Sequence, residues 1–147
     1  MKPTSLILGV CLMTMYVGAA SAAEGDGTKE LIGVWTCASA TIDGNPLAEE
    51  TAKQLKLTLT ADRYKSQRGE QILFDSNYKT DGTKSPKQID MIGTEGDLAG
   101  KAALGIYKVD GDTLTMCYCL PGKDRPTAFE SSPGSSAFLV VWKRAEK

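Results

Sequence analysis

The sequence predicts an all-β protein in which eight antiparallel strands close into an up-and-down barrel. Apolar and polar residues alternate with a period of two over most of the chain after residue 30, which is typical of strands with one buried face. Turn-forming residues separate these stretches at short intervals. No long helical period lies between them, whereas parallel strands would need helical crossovers. Closing the sheet on itself removes both of its edges, so a barrel is the simplest arrangement.

The first four strands are predicted in the N-terminal half of the chain. Residues 31–42 are rich in β-branched and aromatic side chains and stop at an Asp-Gly-Asn-Pro turn cluster. A short helical turn is expected within residues 47–56. Residues 55–60 alternate strictly between leucine and polar residues, which places the leucines on one buried face. Two strands follow over 63–67 and 71–80, and in the second the Ile, Phe and Tyr residues share one face.

The last four strands are predicted from the same alternation. Residues 87–93 form one of them, and residues 101–109 and 114–120 flank an Asp-Gly-Asp sequence, the clearest hairpin signal in the chain. A long loop rich in proline and glycine over 121–136 precedes the final strand at 137–144. Only three residues follow that strand, so no C-terminal helix is expected.

Residues 1–22 predict a secretory signal peptide and not a part of the fold. A positively charged start precedes an apolar run over 6–17, and the Ala-Ser-Ala at 20–22 matches the small-x-small cleavage pattern. The run is shorter than the ~20 residues that cross a bilayer, so no membrane span is expected after cleavage. We therefore predict export to the periplasm or the medium. A flexible lead-in over 23–30 and one barrel domain over 31–147 then complete the chain.

Composition limits the classes of function. The chain has 17 Lys and Arg, 18 Asp and Glu and no His, giving a net charge of −1. This balance excludes the strongly basic surface of a nucleic-acid binder. The lack of histidine excludes histidine-based catalytic triads and histidine-ligated zinc or haem. The Gly-x-Gly-x-x-Gly and Gly-x-Ser-x-Gly motifs are also missing from the sequence. We therefore expect neither an enzyme, nor a cofactor, nor a metal site.

The first and the last strand of the predicted barrel carry distinctive residues. The first strand begins with Leu-Ile-Gly-Val-Trp at 31–35, and the last strand ends with Trp-Lys-Arg at 142–144. This arrangement resembles that of lipocalins, in which a first-strand tryptophan closes the barrel floor and a last-strand arginine packs over its ring. The resemblance implies that Trp35 and Arg144 close the barrel through a cation–π contact. Gly33 would then let another segment approach closely.

The resemblance extends over nearly all of the chain after the predicted leader. The matching positions are Leu31, Gly33 and Trp35; Asp43 and Gly44; Leu57, Thr58 and Leu59; Pro86, Ile89 and Asp90; Gly105, Ile106 and Tyr107; Gly111, Asp112 and Leu114; Cys117; Gly122, Arg125 and Pro126; and Arg144. In this order they resemble a family of small secreted lipocalin-like proteins of unknown function, common in planctomycete-type bacteria. The resemblance implies a calycin-type barrel and no particular substrate.

The cysteines have two interpretations. Cleavage of the leader would remove Cys11 and leave Cys37, Cys117 and Cys119. We expect one disulfide from Cys37 to either Cys117 or Cys119, because exported proteins meet an oxidising environment. Cys117 and Cys119 are poor partners for each other, because their spacing on an extended strand is near the limit of disulfide geometry. The alternative is a three-thiolate site for a soft ion such as copper(I).

The leading hypothesis for function is the binding of a small apolar or amphipathic molecule inside the barrel. An eight-stranded barrel is just wide enough to hold one small ligand or to fill with its own side chains. The residues expected to line such a cavity are the inward apolar ones, Leu57, Leu59, Phe74, Met91, Ile106 and Met116.

The alternative hypothesis is a protein-interaction or inhibitor module that acts through the 121–136 loop. Loops on a rigid scaffold often carry function, and this one would present Phe129 to a partner. Arg125 in the same loop has two interpretations. It would either bind an acidic group of a ligand at the barrel mouth or hold the loop by donating to backbone carbonyls. A metal-sulfur protein that uses the cysteines ranks third, and an enzyme that uses them ranks last.

Overall fold

The computed structural model describes residues 29–94 and 98–145. The predicted signal peptide at 1–22 and most of the predicted lead-in lie outside the described residues. The elements are, in chain order, β1 (Gly33–Ile42), β2 (Asn45–Pro46), α1 (Glu49–Ala52), β3 (Leu55–Leu59), β4 (Arg63–Arg68), β5 (Gln71–Asp81), β6 (Lys87–Gly93), β7 (Ala102–Asp110), β8 (Thr113–Cys119) and β9 (Ala137–Arg144). All eight predicted strands are present, with ends within two residues of those expected.

Eight of these strands form a closed antiparallel barrel, which confirms the predicted fold class. Neighbours pair in the order β1-β3-β4-β5-β6-β7-β8-β9, and β9 pairs back onto β1. The short β2 adds only a hairpin to the end of β1. Because sequential strands are neighbours throughout, the topology is up-and-down. Among the described residues, no helix is long and apolar enough to cross a membrane.

Two β-bulges change which residues face the interior. The pairing of β1 with β9 shifts between Cys37 and Ser39, and both Cys37 and Ala40 belong to the barrel core. In the pairing of β4 with β5, Ser66 lies opposite Phe74 but Gln67 lies opposite Ile72, so Leu73 is an extra residue. A bulge interrupts the alternation of a strand and re-aims the side chains beside it.

Trp35 closes the end of the barrel at which β1 begins. The side chain is fully buried, and its Nε1 donates a hydrogen bond to the carbonyl of Leu31 at 2.9 Å. The Cζ atom of Arg144 lies 4.2 Å from the centroid of the Trp35 ring, within the range of a cation–π contact. Gly33 has φ +142°, and a Cβ there would come within 2.9 Å of Nη1 of Arg144. The φ of Gly33 is one that L-residues rarely adopt, so the backbone itself favours glycine here, and a Cβ would in addition displace the Arg144 guanidinium.

A helical turn over residues 29–31 covers the same end. Leu31 is fully buried beneath the barrel. The Arg144 guanidinium donates to the carbonyls of Ile32 at 3.1 Å and Glu30 at 2.9 Å, which ties the turn to the last strand. Residues 29 and 30, at the C-terminal end of the predicted lead-in, are part of this closure.

Candidate functional site

The barrel is packed in its closed half and hollow in its open half. A cavity of about 270 Å³ opens at the end of the barrel opposite Trp35. Small residues create it, because Ala40, Ser66 and Ala103 stand where larger side chains would fill the interior. The lining consists of Ala40, Ile42, Leu55, Tyr64, Ser66, Leu73, Phe74, Ala103, Tyr118, Leu120, Phe138, Val140 and Trp142.

The mouth of the cavity is apolar. Leu73 and Leu120 line the cavity and are still 47% and 48% exposed, and Ile72 beside them is 50% exposed. The bulge at Leu73 explains why two consecutive residues, Leu73 and Phe74, both line the cavity. An apolar molecule would therefore meet apolar surface before it reaches the interior.

Aromatic side chains form much of the inner wall. The rings of Tyr118 and Phe138 are stacked at 5.1 Å with an interplanar angle of 5°. The rings of Tyr64 and Phe74 meet edge to face at 5.9 Å. Such pairs are rigid, and they offer flat apolar surface with few rotamers to order on binding.

Two buried polar atoms of the lining residues have no hydrogen-bond partner in the part of the chain that the structure describes. They are the hydroxyl of Tyr64, which lies beside the hydroxyl of Tyr118, and Nε1 of Trp142; both atoms have almost no accessible surface, so neither faces the open space of the cavity. Burial raises the pKa of Tyr64 well above its ordinary value, and the neighbouring Tyr118 adds to this shift. Burial also raises the pKa of Tyr118 to about 12. Both phenols are therefore neutral at physiological pH.

Five of the six residues predicted to line a cavity lie elsewhere. Phe74 does line it. Leu57, Leu59, Met91 and Met116 face inward but are buried in the packed core. The alternation of apolar and polar residues predicts which face of its strand each residue occupies. It does not predict the position of that residue along the barrel axis.

Ile106 is the sixth of these residues, and it faces away from the barrel interior. On β7 the inward positions are held by residues such as Ala103 and Tyr107, which belong to the main core, and Ile106 lies between them in the alternation. Ile106 belongs instead to a second cluster, which we call the outer cluster: Ile106, Cys117, Cys119 and Ala137, with Phe129 and Leu139 packed against it.

The cysteine positions correct the predicted disulfide. Cys37, Cys117 and Cys119 are all free thiols and all buried. Cys37 belongs to the core inside the barrel, whereas Cys117 and Cys119 belong to the outer cluster. The sheet therefore separates Cys37 from both proposed partners. Burial raises the pKa of Cys37 to about 11, so this thiol stays protonated. No group of three His, Cys, Asp or Glu residues that could hold a metal ion occurs within the described ranges.

The 121–136 loop lies against the outside of the barrel wall. Phe129 packs on the outer cluster, and Nζ of Lys108 lies 4.8 Å from the centroid of its ring. Arg125 pairs with the carboxylate of Asp90 at 2.6 Å and donates to the carbonyls of Ile89 at 3.2 Å and Gly105 at 2.8 Å. Arg125 therefore holds the loop against the outer wall of the barrel. Of the two interpretations of Arg125, these bonds match the one in which it holds the loop by donating to backbone carbonyls, and Arg125 does not line the cavity.

Comparison of the chain with models of protein families, with curated proteins and with solved structures finds no match.

Proposed function

We propose that this chain is an exported lipocalin-like barrel that binds one small, largely apolar molecule in the open half of its interior. The observation that carries the proposal is the 270 Å³ apolar cavity with an open mouth. Protein interiors are normally packed without such voids, and unfilled space costs stability. An engineered cavity of about 150 Å³ already binds benzene, so this volume accommodates a somewhat larger molecule.

Export rests on the N-terminal sequence alone. Residues 1–22 have the charged start, apolar run and small-residue cleavage site of a leader. A barrel that carries an apolar molecule through an aqueous compartment would keep that molecule from water, which is the physical benefit of the buried site.

The loop hypothesis has less support than the cavity. A docking loop would present its apolar residue to a partner, but Phe129 packs on the outer cluster. Arg125, which would be the charged contact of such a loop, is already engaged with Asp90. Neither side chain is free to recognise another protein without loosening the loop.

The test compares two substitutions on neighbouring residues of β7. Ala103 lines the cavity, and the residue before it, Ala102, lies on the opposite face of the strand. All 147 residues are expressed, and the protein is recovered from the exported fraction, where loss of the leader mass checks export. Binding of the neutral apolar fluorophore N-phenyl-1-naphthylamine is then measured by its fluorescence enhancement.

We expect saturable binding by the unchanged protein and by Ala102→Phe. Ala103→Phe should bind at least about tenfold more weakly, because its ring occupies the space of the ligand. Absence of saturable binding by the unchanged protein would overturn the proposed function. Equal binding by the two variants would place the fluorophore outside the cavity and would also count against it.

A further inference from the structure

We infer that the mouth of the cavity docks onto a lipid surface, where its apolar ligand enters and leaves the barrel. This inference rests on the proposed function and names the partner of the same site. It is carried by three exposed aliphatic side chains at the mouth, Ile72, Leu73 and Leu120, which we call the apolar rim.

Exposed apolar side chains are concentrated at this end of the barrel. Five large ones are exposed in the part of the chain that the structure describes, and three of them form the apolar rim. The other two, Ile32 and Val34, lie at the closed end beside Trp35. Single exposed apolar residues are ordinary on a protein surface, whereas a group of them around a cavity is typical of an interaction site.

The apolar rim is continuous with the wall of the cavity. Leu73 and Leu120 line the cavity and are also about half exposed, so the same side chains form the inner wall and the outer edge. Among the described residues, none of those that line the cavity is Asp, Glu, Lys or Arg. A molecule that leaves a bilayer through this mouth would therefore keep apolar contacts until it reaches the interior.

The size of the apolar rim favours a lipid surface over a protein partner. Three half-exposed aliphatic side chains offer far less surface than the roughly 800 Å² that each partner buries in a standard protein interface. A lipid surface requires no complementary area, because each side chain that leaves water contributes by itself. The rim therefore suits shallow and reversible insertion and not a stable complex with another chain.

The charged residues next to the rim in the chain are balanced. Arg68 and Glu70 stand at the turn between β4 and β5, and both are exposed. Lys123 and Asp124 follow β8 in the same way, and they too are exposed. Each side of the rim thus offers one cation and one anion, which matches the two charges of a zwitterionic headgroup. An excess of anionic lipid should bring no further gain.

The test measures binding to sucrose-loaded vesicles of phosphatidylcholine by co-sedimentation. The protein is the full chain as recovered from the exported fraction, and Ile72→Ser is compared with Ile32→Ser. The two changes are matched, because both replace an isoleucine that is 50% or 42% exposed, the first at the rim and the second at the closed end. Leu120→Ser is a second rim variant.

The cavity is checked separately. Neither Ile72 nor Ile32 lines it, so both serine variants should bind N-phenyl-1-naphthylamine as the unchanged protein does. This fluorescence measurement is made without vesicles, because the fluorophore also dissolves in lipid. It also reports whether each variant has folded.

We expect the unchanged protein and Ile32→Ser to bind the vesicles equally. Ile72→Ser and Leu120→Ser should each bind about threefold to tenfold more weakly, since each withdraws one half-exposed aliphatic side chain from the lipid. Replacing part of the lipid by phosphatidylglycerol should change the affinity by less than about twofold, and added salt should not weaken binding.

The outcomes separate this inference from the proposed function. If the unchanged protein binds the fluorophore but not the vesicles, the lipid surface is wrong and the proposed function stands. If it does not bind the fluorophore, both fail.

Three other results would overturn the inference alone. Equal losses in Ile72→Ser and Ile32→Ser would contradict docking through the mouth. Binding that requires phosphatidylglycerol and disappears in salt would contradict docking by apolar contact. Self-association that Ile72→Ser abolishes, without binding to vesicles, would assign the apolar rim to a second copy of the chain.

Discussion

At the residue scale, the role of a side chain depends on its height in the barrel as much as on its face. Trp35 and Trp142 both point inward, yet Trp35 is sealed beneath Arg144 with its Nε1 bonded to Leu31, whereas Nε1 of Trp142 has no partner among the described residues. The sequence distinguishes Trp35 by its neighbour Gly33. It contains no local signal for the cavity role of Trp142, because that role depends on small residues of distant strands such as Ala103.

Replacement of Trp35 by alanine should destabilise the whole barrel. The change deletes a fully buried indole and the surface on which Arg144 rests, so we expect a loss of about 3–5 kcal/mol in the free energy of unfolding. Urea denaturation followed by circular dichroism measures this loss. Val34→Ala is the control, because Val34 is 38% exposed and its truncation should cost less than about 1 kcal/mol. Similar losses in the two variants would contradict a closing role for Trp35.

At the scale of elements, the strands were predictable because the alternation of apolar and polar residues is a local property. Which face of β7 points into the barrel was not predictable. Both faces of β7 are apolar, with Ala103 and Tyr107 on one and Ile106 on the other. Ile106, the larger aliphatic side chain, faces outward because the 121–136 loop covers it. A loop that packs on the outside of a barrel has no regular apolar period, so the sequence pattern does not reveal this cover. The bulge at Leu73 likewise turns Ile72 into an exposed residue although it shares the alternation of Phe74.

The attachment of the loop should depend on Arg125. Arg125→Ala leaves Asp90 without its partner and removes two bonds to carbonyls, which should lower the local stability of the loop by about 1–2 kcal/mol, given the partial exposure of the pair. The population with an open loop would rise roughly tenfold. Alkylation of Cys117 and Cys119 by iodoacetamide, measured by peptide mass spectrometry, should accelerate by about the same factor.

Cys37 provides the control for that measurement within the same molecule. It lies inside the barrel, so its alkylation should not change when the loop opens. Equal acceleration at all three cysteines would indicate global unfolding and not loop release. A peptide in which Cys37 is bonded to Cys117 or Cys119 would contradict the placement of these thiols on opposite sides of the sheet.

At the scale of the whole molecule, the barrel combines a packed closed half with a hollow open half. Closure followed from strand count and the lack of crossover helices, so the fold class was predictable. The position of the boundary between the packed half and the hollow half was not predictable. It depends on which inward residues lie at the same level along the barrel axis, and the tilt and stagger of the strands determine that level. Leu57 and Ala103 are both inward, but only Ala103 lines the cavity.

Burial of weak acids in this barrel predicts loss of stability at alkaline pH. Burial raises the pKa of Cys37 from 9.0 to about 11, and the pKa values of Tyr78 and Tyr118 from 10.0 to about 12. The unfolded chain releases these protons at the ordinary values, while the folded chain retains them. Between pH 9.0 and about 12 the unfolded state therefore binds fewer protons, and the free energy of unfolding falls as pH rises.

The midpoint of thermal unfolding, measured from about pH 8 to pH 11, checks this expectation. It should be constant near the lower limit and decline above pH 9.0, where Cys37 is the first of these groups to titrate in the unfolded chain. Lysines lose their charge at higher pH, so Cys37→Ala separates the two causes by reducing the earliest part of the decline. A midpoint that is flat to pH 11, or a decline unchanged in Cys37→Ala, would mean that this thiol is not held protonated by the fold. A reduced early decline would instead identify the packed interior around Cys37 as a source of alkaline sensitivity.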